Sequence, residues 1–225
     1  MVTRKRNFEY STSEKGYFVK FQMVVFFLTF AIFLNGAQAN QLPAASRIAT
    51  VVSVSGNVWD VSGLKQKLLL TVGTLLKPKT IIETDAHGTA ILKLGTDVAI
   101  QVKPNSRFTI DLNQVEDWSV KLKSGAILSA VKNPEKRKDH FKIITRSATI
   151  GVRGTAFYVK QLPGKPTYLC TCHGTIEVKD AQGKVLKSIT STHHDHPVTI
   201  TASMKQVPMD SEHTDAEVLA LENTL

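Results

Sequence analysis

The chain has 225 residues, carries a formal net charge of +9, and is 42% hydrophobic and 21% charged. These proportions describe a globular protein, and the length allows one domain with a substantial core or two small ones.

Arg4, Lys5, Arg6, Lys15 and Lys20 precede the apolar run Val24 to Leu34. About eleven apolar residues are too few for a membrane span, which needs roughly twenty, and match the h-region of an export signal. Ala37 and Ala39 then give a small-x-small cleavage pattern, so residues 1–39 are expected to be a signal peptide removed before Asn40. The alternative is an uncleaved N-terminal membrane anchor. Cleavage removes five cationic and two acidic side chains, lowering the formal charge from +9 to +6. The expected location is periplasmic or secreted, with no membrane span after cleavage. Export excludes nucleic acid as the obvious partner, and the residual basicity reads as solubility or affinity for anionic envelope surfaces.

From Arg47 onward, short alternating runs rich in Val, Ile and Thr are broken by Gly, Pro, Asn and Asp. Such spacing predicts an all-β domain, rolled or solenoid-like, built of short antiparallel strands. A phrase of Gly followed by alternating apolar residues recurs from Ser55, His87, Ser124, Arg153 and His173, at intervals of about 20 to 37 residues. Each Gly is expected to permit a tight turn into a strand. The basic segment between Val131 and Phe141 predicts a solvated hairpin loop, with contact to an anionic surface as the functional alternative. Near the end, Thr214 and Glu217 form a capping box before Val218, Leu219 and Leu221, predicting one short helix.

The run Phe141 to Val159, "FKIITRSATIGVRGTAFYV", resembles the closing signature of the FecR domain, a bacterial envelope module. Ile81 to Leu112 resembles the middle of that domain, and Val120 to Val131 its Leu-x-x-Gly strand. The signature residues are Gly151, Val152, Arg153, Gly154 and Thr155. Gly151 and Gly154 are expected to bracket a tight crossing of the backbone. Arg153 is expected to pin that crossing by forking onto a carboxylate or carbonyls, with an anionic ligand as the alternative. Familiar members of the family are membrane-spanning regulators that pair a sigma-factor-binding cytoplasmic domain with a periplasmic sensor. This chain departs from them, because twenty residues before the apolar run cannot form the cytoplasmic domain and no βαβ-type partner-binding domain follows the signature. The resemblance therefore implies a rolled β envelope module and not the iron-uptake role. The expected organisation is a signal peptide over 1–39, a FecR-like β-domain over 40–208 and a helical tail over 209–225. Within the domain, the signature core spans about 47–160 and a strand extension spans 161–208.

Both cysteines lie in "YLCTCHGTIEV", Tyr168 to Val178. An even hairpin loop at Asp180 to Gly183 would set Cys170 opposite His193 and Cys172 opposite Ser191. Alternation then places Cys170 and Cys172 with Ile176 and Val178 on the apolar face, and His173 on the other. Core packing is the first expectation for both thiols. A disulfide between them would need a bulge, since residues two apart in a strand hold their Cβ atoms about 6.7 Å apart against about 4 Å in a bridge. The C-x-C-H order is not the C-x-x-C-H of haem attachment. A soft metal site would use Cys170, Cys172, His193 and Asp195. His140 and His213, in a basic loop and a polar tail, are expected to be solvated.

No Ser/His/Asp spacing or phosphate-cradling Gly loop is present, so no catalytic residue is assigned and no cofactor is expected. The functional expectation is a non-enzymatic signalling module that binds an envelope protein or glycan. The alternative is a periplasmic metal- or redox-responsive protein using the cysteine cluster.

Overall fold

The computed structural model describes residues 49–63, 66–112, 117–132, 140–194, 197–201 and 204–225. The N-terminal basic segment, the apolar run and the cleavage pattern lie outside the described residues, as does Asp195. In chain order the strands are β1 (Ala49–Ser55), β2 (Val58–Asp60), β3 (Leu68–Leu69), β4 (Leu75–Leu76), β5 (Ile81–Thr84), β6 (Thr89–Leu94), β7 (Val98–Val102) and β8 (Arg107–Asp111). They continue with β9 (Asp117–Val131), β10 (His140–Ile144), β11 (Thr149–Gln161), β12 (Thr167–Lys179), β13 (Val185–Ser191), β14 (Val198–Ile200) and β15 (Lys205–Gln206). One helix, α1 (Asp215–Glu222), follows. The fold is all-β with one short C-terminal helix, as the alternation and the capping box predict.

The strands form two ladders that share β9, β11 and β12. One runs β4, β1, β6, β7, the second half of β9, the second half of β11, the first half of β12, β14 and β15. The other runs β3, β2, β5, β8, the first half of β9, β10, the first half of β11, the second half of β12 and β13. Each long strand therefore turns a corner and serves both ladders, which rolls the sheet over on itself. β10 pairs parallel with the first half of β9, His140 opposite Asp117. The basic segment between β9 and β10, expected as a solvated hairpin loop, lies at 133–139, outside the described residues.

Gly125, Gly154 and Gly174 mark the three corners, each with positive φ. At the crossing of β11 and β12, a Cβ on Gly174 would stand 2.0 Å from the Gly154 carbonyl oxygen, so two backbones meet where only glycine fits. The recurring Gly phrase therefore marks corners inside continuous strands at these three positions, and not turns into new strands. Gly151 departs from expectation as well. It lacks positive φ, and a Cβ there would meet nothing nearer than the Glu177 oxygen at 3.8 Å. The crossing rests on Gly154 and Gly174.

Each corner on β11 and β12 includes a one-residue bulge: Gly154 is the extra residue on β11, and Cys172 the extra residue on β12. A single extra residue reverses which side alternate residues face. Accordingly Leu169, Ile176 and Val178 all enter the core between the ladders although their numbers differ in parity. Phe108, Phe141, Phe157, Ile110 and Ile143 fill the same core. Cys170 and Cys172 instead join a second, smaller cluster with Ala99, Ala126, Leu128, Ala130, Ala156 and Tyr158. Val218 and Leu221 of α1 cover that cluster from outside, and the run of alanines lets the helix approach the strands closely.

Candidate metal centre

The cysteines are buried as expected, but beside a different set of neighbours. Their predicted grouping with Ile176 and Val178 fails because the Cys172 bulge turns the strand between them. The predicted hairpin register also shifts. β13 pairs Ser191 with Gly174 and leaves the ladder there, while Cys170 sits opposite Tyr158 of β11. The chain bends through residues 192–194 and rejoins β12 as β14, Val198 opposite Leu169. Two local features cause this. A bulge at Val178/Lys179 shifts the register, and Asp180 caps a longer loop by accepting from the Gln182 and Lys184 amides at 3.0 Å and 2.9 Å.

The bend brings His194, not His193, to the thiols. His193 is largely exposed, 3.7 Å from Asp215. His194 turns inward, its Nδ1 lying 3.6 Å from Cys170 Sγ and 3.2 Å from His213 Nε2. His213 is 1% exposed, so the expectation that it is solvated fails. Its ring stacks on Tyr158 at 4.2 Å and 10°. The side chain of His140 lies outside the described residues, as does that of Arg153. One ligating atom from each of Cys170, Cys172, His194 and His213 falls within 4.8 Å of all the others. The bulge at Cys172 is what lets two cysteines in one strand aim at a common point, which an unbroken strand would hold too far apart.

Three segments build this quartet, and each is held by its own contacts. The bulged strand supplies the thiols. The bend supplies His194, whose Nε2 meets Asp215 Oδ1 at 2.6 Å at the start of α1. Bonding to that carboxylate keeps the proton on Nε2 and leaves the Nδ1 lone pair facing the thiols. The tail supplies His213, flanked by polar anchors. Tyr158 donates to Glu212 at 2.8 Å, Tyr168 accepts from the Asp210 amide at 2.8 Å, and Lys160 donates to Asp210 at 2.9 Å. Beyond it, Thr214 accepts from the Glu217 amide at 3.3 Å, and its own amide donates to the Glu217 carboxylate at 3.0 Å. Further along the helix Glu217 receives Lys103, and Glu222 meets His173 Nε2 at 2.6 Å.

The electrostatics are uneven across the two thiols. Hydrogen bonding from the Cys172 thiol, against the opposing effect of burial and with help from His213, brings Cys170 down to about 5. Cys172, which donates to Cys170 and is itself buried, is pushed up. A buried Tyr158 hydroxyl beside Glu212 is likewise pushed up and stays a donor. The cysteines are unbridged.

Residues 80–186 match the family model described as FecR protein. The chain carries a FecR domain. Two crystal structures of a protein from Parabacteroides distasonis ATCC 8503, provisionally named an anti-sigma factor, are similar to it. One is 15% identical with a TM-score of 0.46 and covers 56% of this chain and 59% of its own. The second is 14% identical with a TM-score of 0.49 and covers 62% and 64%. The similarity thus spans about six-tenths of the length of those chains. No curated protein matches. The FecR domain contributes Cys170 and Cys172, whereas His194 and His213 lie C-terminal to the matched residues. Sequence reading found the two cysteines but chose His193 and Asp195 beside them; it missed His194, which alternation set on the opposite face, and His213, which lies far along the chain in a polar tail.

Proposed function

We propose that the chain is an exported, non-enzymatic signalling module of the cell envelope that works by binding a partner protein. The FecR domain supports a regulatory role. The observation that carries the binding mode is an apolar margin outside the matched residues. Leu68, Leu69, Val72 and Leu75 are each more than half exposed, and Val52 stands beside them on β1. They occupy β3, β4 and the turn between, and among the described residues these two strands end the two ladders. An unpaired strand edge beside exposed apolar side chains suits strand addition by an extended peptide, which supplies both backbone hydrogen bonds and apolar contacts. A glycan offers neither a backbone edge nor an apolar row, so a protein fits this margin better.

Export is supported by the basic and apolar N-terminal pattern, and among the described residues no helix is long and apolar enough to cross a membrane. Mass spectrometry of envelope fractions is expected to find a form beginning at Asn40, and only full-length membrane-bound protein would contradict cleavage. For binding, a photo-crosslinking residue at Val72 or Leu75 is expected to capture one envelope polypeptide in cells. The same probe at Leu219, an exposed position on α1, is expected to capture none. Equal labelling from both positions, or capture that survives Leu69→Asp, counts against the margin as the docking edge.

A further inference from the structure

We propose that Cys170, Cys172, His194 and His213 form a closed tetrahedral site for Zn(II) that clasps the C-terminal helix to the sheet. This goes beyond the binding role and is independent of it. Zinc bound by two thiolates and two imidazoles, at about 2.3 Å and about 2.05 Å, sets tetrahedral edges of about 3.8 Å between sulfurs, 3.6 Å from sulfur to nitrogen and 3.4 Å between nitrogens. The Cys170–His194 separation of 3.6 Å and the His194–His213 separation of 3.2 Å fall close to those edges. The remaining atoms of the quartet lie within 4.8 Å, near enough to close on an ion by rotation of a side chain.

The donor chemistry fits as well. Two thiols surrender two protons as one Zn(II) binds, so two negative charges meet two positive ones and the buried site is neutral. Mixed sulfur and nitrogen donors in a tetrahedron select zinc over hard cations. His194 has the outer carboxylate that metal-bound histidines commonly use, in Asp215 at 2.6 Å. His213 Nδ1 is buried without a hydrogen-bond partner, so the ring is positioned by Tyr158 and the quartet and not by polar bonds of its own. Four protein ligands leave no open position, which makes the site structural and not catalytic. Its ligands come from β12, the bend after β13 and the residue before the N-cap of α1, so the ion would cross-link three segments, adding to the apolar contact that Val218, Leu221 and Leu225 make with the strands.

The test uses the whole chain, purified with reductant and titrated with Co(II) as a spectroscopic substitute for zinc. One Co(II) per chain is expected, with a thiolate charge-transfer band and the intense visible absorption of tetrahedral cobalt, both erased by added Zn(II). Cys172→Ser and His213→Ala are expected to abolish these bands. Asp215→Asn, at an exposed carboxylate, is expected to weaken binding about 10- to 100-fold. His193→Ala is expected to leave it unchanged. A wild type with no tetrahedral cobalt spectrum overturns the proposal, and so does a Cys170–Cys172 disulfide that persists in reductant. Tight binding retained by His213→Ala, with the β spectrum of the wild type, also overturns it.

Discussion

The two apolar clusters on either side of the shared strands are stabilised by different physics. Between the ladders, Phe108, Phe141, Phe157 and a dense set of Ile, Leu and Val are sealed from water, and their contribution depends on burial alone. Beneath α1 the cluster is small, made of alanines, Leu128, two thiols and a tyrosine. Its cover is fastened by ionisable groups: Glu217 to Lys103, Asp210 and Glu212 to Lys160, and Asp215 to His194. The first core is therefore held without ionisable groups, while the cover of the second depends on them.

The contrast breaks most severely at the corner both clusters share. Gly174→Ala drives a Cβ into the Gly154 carbonyl at positive φ, and loss of folded protein, or at least about 3 kcal/mol of stability, is expected in urea denaturation. Phe157→Ala removes a fully buried ring from the inner core and is expected to cost about 3–5 kcal/mol, with the whole sheet melting earlier. Leu221→Ala touches only the outer cluster. A loss of about 2 kcal/mol is expected in the docking of the helix, seen as faster amide exchange in α1 while β9 and β11 keep their protection.

The smallest effect is a pH dependence. Burial opposes the charged form of Glu217, but the hydrogen bond and charge of Lys103 outweigh it and hold the carboxyl below its usual range. A group with a depressed folded value stabilises fully above its unfolded value, near 4.3, and loses that contribution as pH falls through the folded value. Glu217→Gln is thus expected to cost about 1 kcal/mol near neutrality and nothing once the carboxyl is protonated in both states. Thermal denaturation of both proteins from pH 7 down to pH 2 checks this. A difference that grows on acidification contradicts it.

Much of the architecture was legible because alternation and caps are local. Thr214 and Glu217 announced α1, and runs such as Val120 to Val131 announced strands. The Gly phrase was visible too, but local pattern does not say whether a positive-φ glycine ends a strand or bends one. That depends on which backbone crosses it, as Gly154 does at Gly174. The site failed to emerge for a related reason. One extra residue at Cys172 reversed the facing of the strand, one shift near Lys179 displaced the hairpin register, and together they exchanged His193 for His194. His213 is brought in by the tail, whose docking depends on distant side chains such as Tyr158 and Lys160.

The central claim, that the C-terminal helix is a separately releasable element clasped by zinc, is tested most directly by native-state hydrogen exchange of the reduced chain with and without Zn(II). The amides of α1 are expected to exchange well before those of β9, β11 and β12 in zinc-free protein, and to slow selectively when zinc is added. Exchange of α1 in step with the sheet, unaltered by zinc, would contradict it.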